Sequence, residues 1–305
     1  MHPVPVRGEA LSSWLRRIAS VYCCTVADLL RYDLGFPEAK PSLLDFEAPS
    51  DLIEVIAVRS GMSFRTIEKT TFAGSLPFLS GRVFTDPSKD DAETCSVLFE
   101  PPNPAPGSYE KLRNWFQKES KSKLIGCRHC LADYKNGATL LGWGLKVVLS
   151  CPVHEVMIEP GRKEGDRIEW RKDREEPAAK QVCNLDERSL EAVSEGSVQL
   201  PGGLVSAVEW FRILQAIFHE LNAPWLSVES GRFVWQLKLW EAAGYHSPGP
   251  FETFKFDRSC ALLIATAIDH METGAVRPTG TYGKFFVKQS ERERFRSADL
   301  NSVRK

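Results

Sequence analysis

Three cysteines and a histidine carry the strongest chemical signal in the sequence. Cys127 and Cys130 enclose two residues, twenty more follow, and Cys151 and His154 form a second pair of the same spacing. Each pair fits a tight turn that points both ligands one way, and a connecting segment of this size folds back to join the pairs. Three thiolates and one imidazole complete a tetrahedron, so the expected cofactor is one structural Zn2+ with no open position for water. His129 is a rival ligand inside the first pair, disfavoured because adjacency to Cys130 strains the turn. The plainer alternative is a set of buried reduced cysteines with a chance histidine, since Cys is often buried without any ligand role. Two facing pairs of equal spacing weigh against it. Cys23 and Cys24 suit helix packing better than metal, and Cys95, Cys183 and Cys260 are isolated. Eight cysteines in 305 residues are too sparse for a secreted disulfide scaffold.

No second set of residues promises catalysis. Gly283-Lys284-Phe285 lacks the upstream glycine and the hydroxyl of a phosphate-binding loop. His154-Glu155 and His219-Glu220 lack the second histidine of a zinc protease helix, and Pro152 follows its cysteine where a deaminase would need it before. No nucleophile elbow or dinucleotide fingerprint occurs. The chain reads as non-enzymatic. A nuclease-type enzyme with a structural zinc stays as an alternative, and would require His219, Glu220 and His270 to converge.

The elements that must carry these residues read as helices. Leu11, Trp14, Leu15, Ile18, Ala19 and Tyr22 recur at helical spacing. Leu204, Ala207, Val208, Phe211, Leu214, Ile217, Phe218 and Leu221 form a second apolar face, and Cys260, Ile264, Ala267, Ile268 and Met271 a third. Strand-like alternation is confined to the surroundings of the cysteines. Residues 52–72 read as a helix-turn-helix: Ala57 where helices cross, Gly61 at the turn, Ser63 as N-cap and Ile67 as anchor. Arg65, Thr66 and Lys69 then become candidate DNA contacts, although Glu68 opposes phosphate. Lys111, Arg113, Lys118, Lys121 and Lys123 form one basic cluster, and residues 284–305 another with seven basic against three acidic side chains. Each could neutralise phosphate, or be a solvated face. The expected architecture is mainly α, with a helix-turn-helix-containing N-terminal half, a small treble-clef-like or ribbon zinc module, and a helical C-terminal half. Its expected boundaries are a helical region at 1–126, a zinc module at 127–158, a polar linker at 159–195, of which residues 159–188 read as an exposed linker or a polar hairpin, and a helical domain at 196–305.

Composition excludes several classes. Lys plus Arg number 39 against 40 Asp plus Glu, and hydrophobic residues make up 43%, a balance too apolar and too neutral for disorder. The longest apolar run, Ser259 to Ile268, is half of the roughly 20 residues a membrane span needs. The first residues lack the basic and then apolar segments of a signal peptide. The expected location is the bacterial cytoplasm.

Together these pieces resemble the TniQ family of bacterial transposition proteins. The likeness opens with Pro5, Glu9, Leu11, Ser13, Trp14, Leu15, Arg17 and Ala19, similar to the family's Pro…Glu-x-Leu-x-Ser-Trp-Leu-x-Arg-x-Ala. It continues through Ile56-Ala57 and Gly61, and closes with Cys127, Cys130-Leu131, Trp143, Cys151 and His154. Departures are Arg128 in place of a proline, Gly144 in place of a basic residue, and Glu155 in place of a glycine. The resemblance covers roughly residues 3–158. It implies a non-enzymatic adaptor in DNA recombination by a mobile element, linking recognition of DNA or of a CRISPR effector complex to an AAA+ ATPase regulator and, through it, to a transposase. Under this reading Arg16 and Arg17, off the apolar face of their helix, are candidate partner contacts, and the chain could form a homodimer. A zinc-containing helix-turn-helix transcription regulator is the remaining alternative.

Overall fold

The computed structural model describes residues 2–74, 123–132, 137–145, 147–164, 167–170, 174–222, 238–244 and 258–273. They belong to two compact units, Met1–Gly196 and Ser197–Lys305. The proline-rich stretch 85–108, Cys95, most of the basic cluster 111–123 and the tail 284–305 lie outside the described residues.

Helices α1 (Leu11–Val21), α2 (Val26–Asp28), α3 (Leu44–Glu47), α4 (Ser50–Ser60) and α5 (Phe64–Glu68) open the first unit, with a π-helical turn at Leu29–Leu34. The apolar stripe of α1 buries Leu11, Trp14, Leu15, Ile18 and Ala19 against Leu29, Leu30, Leu52, Ile53, Ile56 and Ile67. Tyr22 does not share in this, because α1 ends at Val21 and the Tyr22 ring turns outward, 57% exposed. Helix α1 has no cap from its own flanking side chain. Asp45 on α3 supplies one instead, accepting from the Ser12 backbone N–H at 2.8 Å and from its hydroxyl at 2.7 Å. Burial pushes the Asp45 carboxyl above its usual range, against those two hydrogen bonds.

Helix α4 stops at Gly61, whose φ of 69° is the left-handed conformation that penalises a Cβ. Ser63 then caps α5, its hydroxyl oxygen accepting from the Thr66 N–H at 3.1 Å. Ala57 and Ile67 are both buried between the helices.

The first unit also holds the strands around the cysteines, in two small sheets. Strands β1 (Lys123–Gly126), β4 (Glu159–Glu164) and β5 (Arg167–Trp170) pair antiparallel in the order β1-β4-β5, and β2 (Ser150–Cys151) pairs with β3 (Val156–Met157). Helix α6 (Lys180–Glu195) follows, burying Val182, Cys183, Leu185, Asp186, Ser189, Ala192 and Val193. Within the stretch read as an exposed linker or a polar hairpin, β4 and β5 form a hairpin and α6 occupies residues 180–195. On α6 the exposed positions include Lys180, Glu187 and Glu195, opposite the buried stripe.

The second unit begins with the hairpin β6 (Ser197–Leu200) and β7 (Gly203–Ser206), followed by α7 (Ala207–Asn222) and α8 (Arg258–Glu272). Val198, Leu200, Val205, Trp210 and Phe211 are buried, as are Cys260, Ile264, Ala267, Ile268 and Met271. Leu204 is not on the helical face expected for it: it lies on β7, opposite Gln199, and is 67% exposed. Among the described residues no helix is long and apolar enough to cross a membrane.

Glu9 ties the chain's start to α1. Its carboxylate is fully buried and accepts from the Val6 N–H at 2.8 Å, the Ser13 hydroxyl at 2.9 Å and Arg17 Nη1 at 2.6 Å. A buried carboxylate stripped of a paired guanidinium suffers a large desolvation penalty. Arg17→Ala is expected to lower unfolding free energy by about 3–5 kcal/mol in a denaturant titration. A loss under about 1 kcal/mol, the range of an exposed pair, would refute a structural role for Arg17.

Candidate metal centre

Cys127 follows β1 directly, and a tight turn brings Cys130 back beside it, with the Leu131 N–H donating to the Cys127 carbonyl at 3.1 Å. Gly126 makes that approach possible: a Cβ there would stand 2.6 Å from Leu131 Cδ1 and 3.0 Å from Trp143 Cζ3. Cys151 ends β2, and the turn 152–155 presents His154 before β3 begins. Asp186, fully buried on α6, holds this second arm in place. One of its oxygens accepts from the Leu149 N–H at 3.0 Å, the Ser150 N–H at 2.6 Å and the Ser150 hydroxyl at 2.6 Å.

The ligand atoms of Cys127, Cys130, Cys151 and His154 all lie within 4.8 Å of one another, so the four residues can hold one metal ion. His154 faces the sulfurs through Nδ1, at 3.5 Å from Cys127 Sγ, 3.3 Å from Cys130 Sγ and 3.5 Å from Cys151 Sγ. Cys130 Sγ and Cys151 Sγ are 3.8 Å apart. A tetrahedral zinc with Zn–S of about 2.3 Å and Zn–N of about 2.0 Å requires S···S of about 3.8 Å and S···N of about 3.5 Å. The donor set fits. Hydrogen bonding to Cys130 and Cys151 draws the Cys127 thiol far below its usual range. The same contacts with Cys127 push Cys130 and Cys151 up. A divalent cation among these sulfurs would favour the thiolate form of all three.

His129 is outside the ligand set. Its Nε2 pairs with Glu175 at 2.5 Å while its ring stacks on His154 at 5.0 Å between centroids. Arg128, where the resemblance leads one to expect proline, donates through Nε to Glu159 at 2.9 Å and lies 5.9 Å from the Trp170 ring centre. It braces the first knuckle against the β4–β5 hairpin, a contact proline cannot make. Gly144 stands where a Cβ would come within 3.2 Å of Phe72, whose ring stacks on Phe46 at 4.9 Å. Space for Phe72 accounts for that departure. Cys23 is exposed, Cys24 half-buried, and Cys183 and Cys260 buried. Among the described residues the only cluster suited to a metal is the Cys3His set.

The other candidate residues fall elsewhere. Arg65 and Thr66 are exposed on α5 and Lys69 half-buried just after it. On α4 the exposed positions include Asp51, Glu54 and Val58. Arg16 and Arg17, the candidate partner contacts, each hold a place within the unit: Arg17 is tied to Glu9, and Arg16 Nη2 donates to the Gly137 carbonyl at 2.7 Å. Both side chains are half-buried. The side chains of His219 and Glu220, which with His270 form the basis of the nuclease alternative, lie outside the described residues.

Asp186, Glu159 and Gly126 are the supporting residues that motif reasoning missed. For Asp186 a signal existed, since a carboxylate among Val182, Leu185, Ser189 and Val193 sits on the buried stripe of its helix.

The first unit joins helices to a Cys3His cluster that could hold one metal ion. The family model described as TniQ matches residues 1–158, more than half of the chain, and the chain belongs to the TniQ family. Membership fits a transposition-associated adaptor role. No curated protein and no solved structure matches the chain.

Two measurements test this geometry. Cys151→Ser is expected to leave less than half an equivalent of bound zinc where the wild type holds about one, by metal analysis after metal-replete purification. Wild-type protein at the variant's level would refute the site. Glu155 occupies the left-handed region at φ 51° where the family commonly has glycine. Glu155→Gly is expected to stabilise the zinc-loaded protein by about 0.5–1 kcal/mol, since relief of the Cβ clash outweighs glycine's entropy. A lowered denaturation midpoint would show that the Glu155 side chain, 3.8 Å from Lys180, matters more.

Proposed function

We infer that the protein is a non-enzymatic adaptor of DNA transposition, which links recognition of a target site to an AAA+ regulator and so to a transposase. The observation that carries this reading is the family match over residues 1–158. In support, Glu9, Ser13, Trp14 and Arg17 of the opening motif and the four ligands of the closing motif fall in one compact unit. The bound metal is one structural Zn2+, because protein side chains fill all four tetrahedral positions and leave none for a reacting water.

Target recognition is by DNA directly or by a CRISPR effector complex. The α4–α5 unit is the proposed DNA reader, through Arg65, Thr66 and Lys69. Asp51 and Glu54 on the outer side of α4 repel phosphate, so contact rests on the α5 end of the unit.

The test is a binding titration of the full zinc-loaded chain against an AAA+ transposition regulator from the same source, and separately against target DNA. Saturable binding of the regulator is expected, and its absence, with folded zinc-loaded protein, overturns the adaptor reading. Arg65→Ala with Lys69→Ala is expected to weaken DNA binding and reduce the slope of log affinity against log salt by about 0.9 for each phosphate no longer neutralised. An unchanged slope would move DNA recognition off α5.

A further inference from the structure

The loop between the two ligand pairs is also the surface on which the start of the chain is fastened. The Ala10 N–H donates to the Thr139 carbonyl at 2.9 Å and the Leu141 N–H to the Gly8 carbonyl at 2.8 Å, forming an antiparallel bridge between Glu9 and Leu140. Helix α1 joins the same seam. The Thr139 N–H donates to the Ser13 hydroxyl oxygen at 2.8 Å, and Arg16 reaches the Gly137 carbonyl. Ser13 is fully buried and in turn donates to Glu9. The other side of the strap is held by α1, through Arg17 on Glu9 and the Trp14 indole N–H on the Pro3 carbonyl at 2.7 Å.

We propose that residues 3–10 form a strap whose docking is coupled to metal occupancy through the loop 137–141, so that each tightens the other. This rests on the metal reading above. The physical reason is loop closure. A bound ion pins Cys130 and Cys151, the residues on either side of the loop, and so removes chain entropy from the segment that must present Gly137, Thr139 and Leu141. Without the ion, the strap keeps its anchors on α1 and loses a fixed partner on its other edge. Coupling between two binding events is reciprocal, so weakening the seam must also weaken the metal. Within this device Ser13 is a positioning residue: it touches no ligand atom and acts through Thr139.

The experiment uses the full chain and Zn2+ in competition with a chelating indicator, with amide hydrogen exchange in parallel. Ser13→Ala is expected to lower zinc affinity about fivefold or more, the lower end of typical couplings. The control is Ser12→Ala, next door on α1, which removes the hydroxyl's hydrogen bond to Asp45 and touches no part of the loop. It is expected to leave zinc affinity unchanged. On removal of zinc from the wild type, the Ala10 and Leu141 amides are expected to lose protection while the buried stretch of α4 around Ile53 and Ile56 keeps it. Equal affinity losses in Ser12→Ala and Ser13→Ala would reduce the effect to general stability and overturn the coupling. So would unchanged protection at Ala10 and Leu141, or loss of protection everywhere at once. A wild type that binds no zinc overturns the metal reading itself, whereas zinc binding without these differences overturns the coupling alone.

Discussion

Three sulfurs and an imidazole nitrogen gathered within 4.8 Å form a site that its own electrostatics cannot satisfy. The contacts among them pull the Cys127 thiol down and push Cys130 up, and a cation held between them would favour the thiolate form of each. Several residues of the first unit position the ligand turns. Gly126 admits the first knuckle, Arg128 braces it on Glu159, and Asp186 fixes the backbone that leads into Cys151.

Carboxyl groups recur as the means of joining elements. Glu9 joins the chain's start to α1, Asp45 caps α1 from α3, and Asp186 joins α6 to the backbone before Cys151. In each case a carboxyl oxygen accepts from backbone or hydroxyl donors that would otherwise be stranded away from water. Such bonds demand particular partners at particular places, whereas apolar contacts tolerate exchange. This fits a unit whose opening segment must find one loop across more than a hundred residues of sequence.

The supporting frame extends past the family match. Residues 1–158 contain the four ligands and the N-terminal motif, yet Asp186 on α6 and the β4–β5 hairpin brace the ligand turns from beyond that boundary. The first unit accordingly ends at Gly196.

The ligand set, the apolar stripe of α1 and two short helices on either side of Gly61, within the stretch 52–72, were legible from the residues alone. Each depends on spacing within a short stretch: two-residue gaps for a turn, helical periodicity for a buried stripe, a glycine where φ must be positive. Only the tertiary structure decided what the polar residues do. Arg16 and Arg17 look like a solvent-facing pair in sequence, but the loop 137–141 and Glu9 occupy the space they face. Residues 159–188 allow an exposed linker or a polar hairpin in sequence, and the structure forms the β4–β5 hairpin followed by α6, whose Asp186 holds the backbone before Cys151. Local patterns report how one element meets water or core. A long-range hydrogen bond leaves no period in the sequence, because its partner is chosen by how the chain folds back.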